Sequence, residues 1–223
     1  MLRGRALPGA VTGSPRTPQG HPHDYVLVPA TRHDAVPLVL LHGSDGRETD
    51  LLPLAERLAP AAAKVSVRGA VRTPGGYAFF RRFPDRRIDE EDLTGRLQPF
   101  TQLIGTALTE LGLHRRPVAV GYSNGAIMAA AALQTNSDLF AGAVLFRPLS
   151  PFTVAPITPL NGLPVLVLDG ADDDRRRPGD GRVLAESLRR VGADVCHEVL
   201  PTGHGIGELD EEIAGRWLER HDG

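Results

Sequence analysis

The stretch that decides the fold is Gly121-Tyr122-Ser123-Asn124-Gly125, a G-x-S-x-G pattern. The apolar run Pro117–Val120 directly precedes it, and the small-residue run Ala126–Leu133 directly follows it. The pattern therefore lies between a predicted strand and a predicted helix, where a serine is held in a strained turn with its Oγ exposed above a sheet. A glycine on each side leaves room for neighbouring backbone that a Cβ would obstruct. Ser123 is thus a candidate nucleophile, and a turn serine that only caps the following helix is the alternative.

Short apolar runs alternate with longer helical runs on both sides of this turn. Strands are predicted over Asp24–Pro29, Pro37–His42, Lys64–Arg68, Pro117–Tyr122, Gly142–Phe146, Leu163–Leu168 and Asp194–Leu200. Helices are predicted over Glu48–Ala62, Leu97–Leu111, Asn124–Thr135, Gly181–Val191 and Gly207–His221. The strands are continuous apolar runs, which is typical of a sheet buried on both faces. The alternation predicts an α/β fold with a doubly wound, mostly parallel sheet and right-handed crossovers.

The length of the chain predicts one domain. Its 223 residues suffice for one well-buried α/β domain and are too few for two. We predict a disordered leader over residues 1–22 and an α/β domain over residues 23–223, and a misplaced start codon is the alternative for the leader. The leader lacks the apolar stretch of about 7–15 residues that a secretory signal needs. The segment Arg68–Leu97 is rich in loop-forming residues and is expected to roof the site.

Composition and charge exclude several classes of function. A formal net charge of −2 provides no global field for nucleic acid or an anionic membrane. No apolar run approaches the roughly 18 residues that span a bilayer. Cys196 is the only cysteine, so neither an intramolecular disulfide nor a cysteine metal cluster can form. We therefore expect no nucleic-acid partner and no stable membrane association. The single cysteine leaves the compartment undetermined by redox chemistry, but a reducing cytoplasm fits it, and a cytoplasmic location is expected. Cys196 is expected to be a core residue of the last strand.

A serine hydroxyl needs a base that accepts its proton. His204 lies in the glycine-bracketed loop Pro201–Gly205, after the last strand and before the last helix. This loop follows the carboxyl end of a strand, where ligands bind in doubly wound sheets. The other histidines lie near the leader, in a polar loop, within a strand or at the C-terminus: His21, His23, His33, His114, His197 and His221. His42 lies in an early strand-to-loop turn and is interpreted as holding that loop.

The candidate acids follow the strand Leu163–Leu168, in the run Asp169-Gly170-Ala171-Asp172-Asp173-Asp174. An aspartate there can accept the imidazole Nδ1–H and stabilise the imidazolium, and it has the chain order that accompanies such a serine turn. Chemistry alone does not choose among the four aspartates. A solvated charge run paired with Arg175–Arg177 is the alternative, and a metal site is weaker because no histidine or glutamate lies at ligand spacing nearby.

The stretch Leu40–Gly46 places a glycine-rich turn at the end of an early strand. Acyl transfer needs N–H donors at the developing oxyanion, each worth roughly 2.7–4 kcal/mol in the transition state. The Asn124 N–H, at the start of a helix, is one candidate donor. The Ser44 N–H, which follows Gly43, is the other. An ordinary tight turn is the alternative for these glycines.

Taken together, these motifs resemble the phospholipase/carboxylesterase branch of the α/β hydrolases. The residues that carry the resemblance are Leu41-His42-Gly43, Gly121–Ala126, the Gly170-x-x-Asp173 turn and Gly203-His204. In addition, Phe79-Phe80-Arg81-Arg82 followed by Asp89-Glu90-Glu91-Asp92-Leu93 is similar to small bacterial serine carboxylesterases near the dienelactone hydrolases. The resemblance covers the chain from about Val36 to Leu218.

The resemblance implies an α/β-hydrolase fold with no large cap domain, no cofactor and a Ser–His–Asp triad. It selects Asp173 as the acid, three residues after the strand-end glycine. It also implies that Phe79 and Phe80 line or roof the acyl or aryl pocket. The chain departs from the dienelactone hydrolases, which have a cysteine at the position of Ser123, and Arg175–Arg177 replaces a more apolar stretch of many relatives. The resemblance allows a homodimer, which no residue pattern demonstrates.

The sequence thus predicts a serine hydrolase that cleaves carboxylic esters, with short acyl or aryl groups, through an acyl-enzyme intermediate. Its expected partner is a small-molecule ester substrate. A thioesterase, lactonase or lysophospholipase could use the same triad. A hydrolase-like scaffold that binds a ligand without catalysis is the remaining alternative.

Overall fold

The computed structural model describes residues 24–222, and the predicted leader over residues 1–22 lies outside them. The main sheet has seven strands: β1 (Tyr25–Val28), β2 (Leu38–Leu41), β3 (Lys64–Val67), β6 (Val118–Tyr122), β7 (Gly142–Phe146), β8 (Pro164–Gly170) and β9 (Asp194–Leu200). Their order in the sheet is β1-β3-β2-β6-β7-β8-β9. Strand β1 pairs antiparallel with β3, and every other pairing in this sheet is parallel. The predicted α/β class and mostly parallel sheet are therefore confirmed.

Helices cover both faces of the sheet, as a doubly wound sheet requires. They are α1 (Leu52–Leu58), α2 (Glu90–Glu110), α3 (Asn124–Thr135), α4 (Asp180–Arg190) and α5 (Glu208–Arg220). Apolar side chains of α2, α3 and α4 share one core cluster with the sheet, and those of α1 and α5 share the other. A small hairpin of β4 (Val71–Arg72) and β5 (Tyr77–Ala78) interrupts the segment that was expected to be loop.

Helix α2 begins at Glu90, whereas the sequence predicts its start at Leu97. Asp89 caps this helix by accepting the Asp92 N–H at 3.0 Å, which satisfies one of the N–H groups that a helix start leaves unbonded. Acidic residues in the first turn also favour a helix start, because they face its positive end. The prediction was wrong because it interpreted this acidic stretch as loop.

The sequence predicted that Cys196 lies in the core. The structure shows that it is exposed. Strand β9 is one of the two edge strands of the sheet, and only part of it is covered by helix α4. An apolar pattern alone does not tell an edge strand from a central one, which explains the error.

The parallel strands bring four chain segments to one edge of the sheet. Strands β2, β6, β8 and β9 all point the same way, so the loops that follow Leu41, Tyr122, Gly170 and Leu200 emerge together. These loops carry the residues singled out in the sequence. Within residues 24–222, no helix combines the length and the apolar character needed to cross a membrane.

Candidate active site

Ser123 lies in a sharp turn between strand β6 and helix α3. Its backbone has φ 52° and ψ −105°, an unusual conformation for a residue with a side chain, and its N–H donates to the Phe146 carbonyl at 2.9 Å. The two glycines of the pattern permit this turn. A Cβ at Gly121 would lie 2.7 Å from the Ala126 Cα, and one at Gly125 would lie 2.1 Å from the Leu41 carbonyl oxygen. Close packing of α3 against β6 and β2 thus requires glycine at both positions.

The Ser123 hydroxyl, the His204 ring and the Asp173 carboxylate form a continuous hydrogen-bonded chain. The distance from His204 Nε2 to Ser123 Oγ is 3.0 Å, and that from His204 Nδ1 to Asp173 Oδ2 is 2.7 Å. Only 9% of the His204 side chain and 2% of the Asp173 side chain are exposed. This arrangement orients the imidazole with Nδ1–H towards the carboxylate and Nε2 towards the serine.

The loops after β8 and β9 pack directly against each other, which brings the acid and the histidine together. The Ala171 N–H donates to the Leu200 carbonyl at 2.7 Å, and the Asp172 N–H donates to the Thr202 carbonyl at 3.0 Å. Gly170 permits this approach, because a Cβ there would lie 2.4 Å from the carbonyl oxygens of both Thr202 and Gly203.

The geometry distinguishes Asp173 from the other three aspartates of the run. Asp169 accepts a hydrogen bond at 2.8 Å from His197 Nε2, which belongs to strand β9. Asp172 and Asp174 are exposed. Among the four, Asp173 is the one in contact with His204.

Arg147 holds the loop that carries His204. It directly follows strand β7 and is fully buried, as is Asp210 at the start of α5, and the two form a bidentate ion pair with both contacts at 2.7 Å. The same guanidinium donates to the carbonyls of Gly203 at 2.9 Å and Gly205 at 2.8 Å, and to the Thr202 hydroxyl at 2.8 Å. The residues on both sides of His204 are therefore bonded to one fixed cation.

The early glycine-rich loop lies against the serine. A Cβ at Gly43 would stand 3.7 Å from the Ser123 Cβ and would overlap the Tyr122 ring. His42 fixes this loop, because its Nε2 accepts the Gly69 N–H at 3.0 Å and its Nδ1, which must then carry the proton, donates to the Gly43 carbonyl at 2.6 Å. Burial also lowers the pKa of His42, which favours this neutral form. The structure thus agrees with a structural role for His42.

The two candidate oxyanion donors directly follow Gly43 and Ser123 in the chain, the two residues that approach each other here. Ser44 is exposed and directly follows Gly43 in the loop. Asn124 is the first residue of α3, so its N–H is one of the helix-terminal N–H groups that have no acceptor within the helix. The Asn124 side chain has a separate function, since its Oδ1 accepts the Phe79 N–H at 2.7 Å and fixes the segment before α2 to the serine turn.

Burial and neighbouring charges set the protonation of the two titratable groups. Burial lowers the pKa of His204, and the Arg176 and Arg175 charges act in the same direction, against the raising effect of Asp173. Burial opposes ionisation of Asp173, but the hydrogen bonds from His204 and from the Arg175 N–H outweigh it and lower the pKa of that carboxyl. At neutral pH the imidazole is therefore unprotonated and the carboxylate ionised, as a general base and its partner need to be.

Arg176 contacts Ser123, although the sequence did not indicate it as a site residue. Arg176 Nη2 donates to Ser123 Oγ at 3.1 Å. Its Nε donates to the carbonyls of Arg147 at 2.8 Å and Pro148 at 3.2 Å. The one signal in the sequence is that three arginines replace an apolar stretch of many relatives. It does not indicate which of the three contacts the serine.

The expectation that Phe79 and Phe80 line the pocket is wrong. The two residues are 0% and 1% exposed, so neither ring offers surface to a ligand. Phe79 packs in the core against His42 and Phe100, with ring centroids 4.8 Å and 6.4 Å away. Phe80 lies beneath Arg82, whose guanidinium carbon is 5.9 Å from the ring centroid. The motif predicted that these two rings form part of the pocket surface, but both are buried beneath it.

A serine on a strand–turn–helix, a histidine after the last strand and an acid after the preceding strand define an α/β hydrolase. The chain matches no protein-family model. It is 35% identical over 183 residues to "Putative hydrolase MhqD" of Bacillus subtilis (strain 168), a match that covers 82% of this chain and 92% of that protein. We conclude that the chain belongs to the carboxylesterase family of the α/β hydrolases and is a hydrolase.

Two solved structures support the same assignment. The carboxylesterase from Bacillus cereus has a TM-score of 0.85 and 33% identity, over 88% of this chain and 93% of the other. The carboxylesterase from Mesorhizobium loti has a TM-score of 0.85 and 31% identity, over 92% of this chain and 98% of the other. These relatives support hydrolysis of esters as the general activity.

Proposed function

We propose that the protein cleaves carboxylic esters with short acyl or aryl groups through an acyl-enzyme intermediate. The observation that carries the proposal is the hydrogen-bonded chain from Ser123 Oγ through His204 to Asp173. A serine next to an unprotonated imidazole, with the imidazole held by a buried carboxylate, is an activated nucleophile.

In the first half-reaction, His204 Nε2 takes the Ser123 proton while Oγ forms a bond to the ester carbonyl carbon. The carbonyl π electrons move to oxygen and give a tetrahedral oxyanion, which collapses as the bond to the alcohol oxygen breaks. His204 returns its proton to the departing alcohol. In the second half-reaction, water attacks the acyl-enzyme with His204 again as base, and the acid and Ser123 are released.

The oxyanion would be stabilised by the N–H groups of Asn124 and Ser44. Asn124 directly follows Ser123 at the start of helix α3, and Ser44 belongs to the loop that lies against Ser123. Each such donor is worth roughly 2.7–4 kcal/mol in the transition state. The cytoplasmic location stays a prediction.

The experiment compares Ser123→Ala with Ser187→Ala on a neutral aryl ester such as 4-nitrophenyl acetate. Loss of a triad serine is expected to lower kcat by about 10⁶-fold. Ser187 is a buried serine of helix α4 and serves as the matched control. A fluorophosphonate probe should label the wild type and the control but not Ser123→Ala. Hydrolysis that survives in Ser123→Ala would overturn the assignment of the nucleophile.

A further inference from the structure

A cleft next to Ser123 is rich in arginine. It has a volume of about 620 Å³ and lies between the segment before α2, the loop after β7 and the loop that leads into α4. Six arginines and four acidic residues line it, so positive charge is in excess. Arg176 belongs to this lining and also donates to Ser123 Oγ at 3.1 Å, so the cleft adjoins the nucleophile.

Two of these arginines, Arg82 and Arg176, are half-buried and close enough to repel each other. Backbone carbonyls hold both in place: Arg82 Nη1 donates to the Arg86 carbonyl at 2.8 Å, and Arg176 Nε donates to the Arg147 carbonyl at 2.8 Å. Burial and then the Arg176 charge lower the pKa of Arg82 to about 10. Both guanidiniums are thus charged at neutral pH, although burial opposes the charge on each of them.

The carboxylates near this pair make no direct contact with it. Among residues 24–222, no carboxylate oxygen lies within 4.0 Å of a nitrogen of either guanidinium. Asp85 pairs with Arg87 at 2.6 Å, and Glu90 accepts hydrogen bonds from Thr153. Asp173 and then Asp180 act on Arg176 by charge alone, and Asp180 also acts on Arg82. The Asp173 carboxylate is bonded to His204 and to the Arg175 N–H, and Asp180 accepts the Arg177 N–H at 3.0 Å.

We propose that Arg82 and Arg176 bind an anionic group of the substrate, a carboxylate or a phosphate, which lies only a few bonds from the ester carbonyl that Ser123 attacks. The inference rests on the proposed ester hydrolysis and narrows its substrates to esters that carry such a group. Guanidinium is the side chain best suited to these oxyanions, because its planar N–H groups match their oxygen atoms. An anion between two cations would also relieve their repulsion.

A different role for Arg176 makes a different prediction. If its only function were to donate to Ser123 Oγ or to the oxyanion, it would assist neutral and anionic esters equally. Arg82 separates the two roles, because it lines the cleft but no contact joins it to Ser123.

The experiment measures kcat/KM for three aryl esters: 4-nitrophenyl hemisuccinate, its neutral methyl ester and an aryl ester of phosphoglycolate. The wild type should prefer an anionic ester over the neutral one by about tenfold or more, since a charge-assisted hydrogen bond contributes about 1.5–3 kcal/mol. The two anionic esters distinguish carboxylate from phosphate. Arg82→Gln and Arg176→Gln should each reduce this preference by about tenfold, with the Arg82→Gln effect mainly in KM.

The matched control is Arg182→Gln, because Arg182 is an exposed arginine of helix α4 that pairs with Glu186 outside the cleft. It should keep the wild-type preference. A preference near unity in the wild type, or one that neither cleft variant changes, would overturn the anion site and leave the triad untouched, since the neutral ester is still cleaved.

Calorimetric binding of succinate and of inorganic phosphate to the Ser123→Ala protein gives a readout without turnover. Adding Arg82→Gln should raise the Kd of the tighter-binding anion by about tenfold. Absence of binding by both anions would overturn the inference. If the wild type cleaves none of the esters, the proposed function fails, and this binding measurement then decides on the anion site by itself.

Discussion

The Arg147 guanidinium and the Asp210 carboxylate form a bidentate ion pair with no solvent exposure on either side chain. The pair ties the end of strand β7 to the first turn of helix α5. The loop between them in space carries His204, and the same guanidinium binds its backbone on both sides of that residue. The position of the histidine relative to Ser123 therefore depends on a buried charge pair whose hydrogen bonds go to the backbone beside His204 and not to the His204 or Ser123 side chain.

We expect Arg147→Met to lower the free energy of unfolding by about 3–5 kcal/mol, because it leaves the Asp210 carboxylate buried without its partner. Urea unfolding followed by circular dichroism measures this loss. The double variant Arg147→Met/Asp210→Leu should recover much of it, since no unpaired charge stays in the interior. Arg57, which forms an exposed pair with Glu211, provides the comparison. A loss for Arg147→Met no larger than that for Arg57→Met would contradict the prediction.

The sheet could be predicted from the sequence, and so could the loops that carry Ser123, His204 and Asp173, because each follows from a local pattern. Continuous apolar runs identify strands of a buried parallel sheet, and loops after such strands meet at one edge. The contact between Asp173 and His204 required no more than this order of elements, together with the spacing that the family resemblance supplied. The structure brings Ser123, His204 and Asp173 within hydrogen-bond distance of one another in turn.

The sequence could not predict contacts that depend on side chains far apart in the chain. Arg147 and Asp210 are separated by 63 positions, and neither lies in a motif. Arg176 is one of three adjacent arginines, and only the path of the loop decides which one turns towards Ser123. The burial of Phe79 and Phe80 could not be predicted either, because a motif gives their positions in the chain but not whether their rings face the cleft or the core.

The role of Asp173 predicts an unequal response within the aspartate run. Asp173→Asn should lower kcat by about 10⁴-fold, because an amide cannot hold the imidazole in the required tautomer or stabilise its protonated form. Asp172→Asn is the matched control, since Asp172 is an exposed neighbour. Steady-state kinetics on a neutral aryl ester compares them. Equal losses in the two variants would remove Asp173 as the acid.

The close contact of the loops after β8 and β9 makes Gly170 a sensitive position. Gly170→Ala adds a Cβ that would stand 2.4 Å from two carbonyl oxygens of the His204 loop, so the loops must separate. Because displacements of about 1 Å at a catalytic group can cost about 100-fold in rate, we expect a loss of that order in kcat/KM. Gly205→Ala is the control. Gly205 lies in the His204 loop, and apart from its neighbours in the chain no atom lies within 4 Å of a Cβ added there. Activity of Gly170→Ala within a few-fold of that control would contradict the prediction.

The electrostatics of His204 predict the pH dependence of the reaction and its response to Arg176. The value of kcat/KM rises with pH as the imidazole of the free enzyme loses its proton. Burial and the nearby arginine charges lower the pKa of His204 from 6.5, so the rising limb should lie on the acid side of that value. Arg176→Gln removes one of these charges, which raises the pKa of His204 and moves the limb to higher pH. A neutral ester is used so that substrate charge plays no part, and Arg182→Gln, distant from the ring, should keep the wild-type profile. A limb that stays in place or moves to lower pH in Arg176→Gln would show that this guanidinium does not act on the histidine.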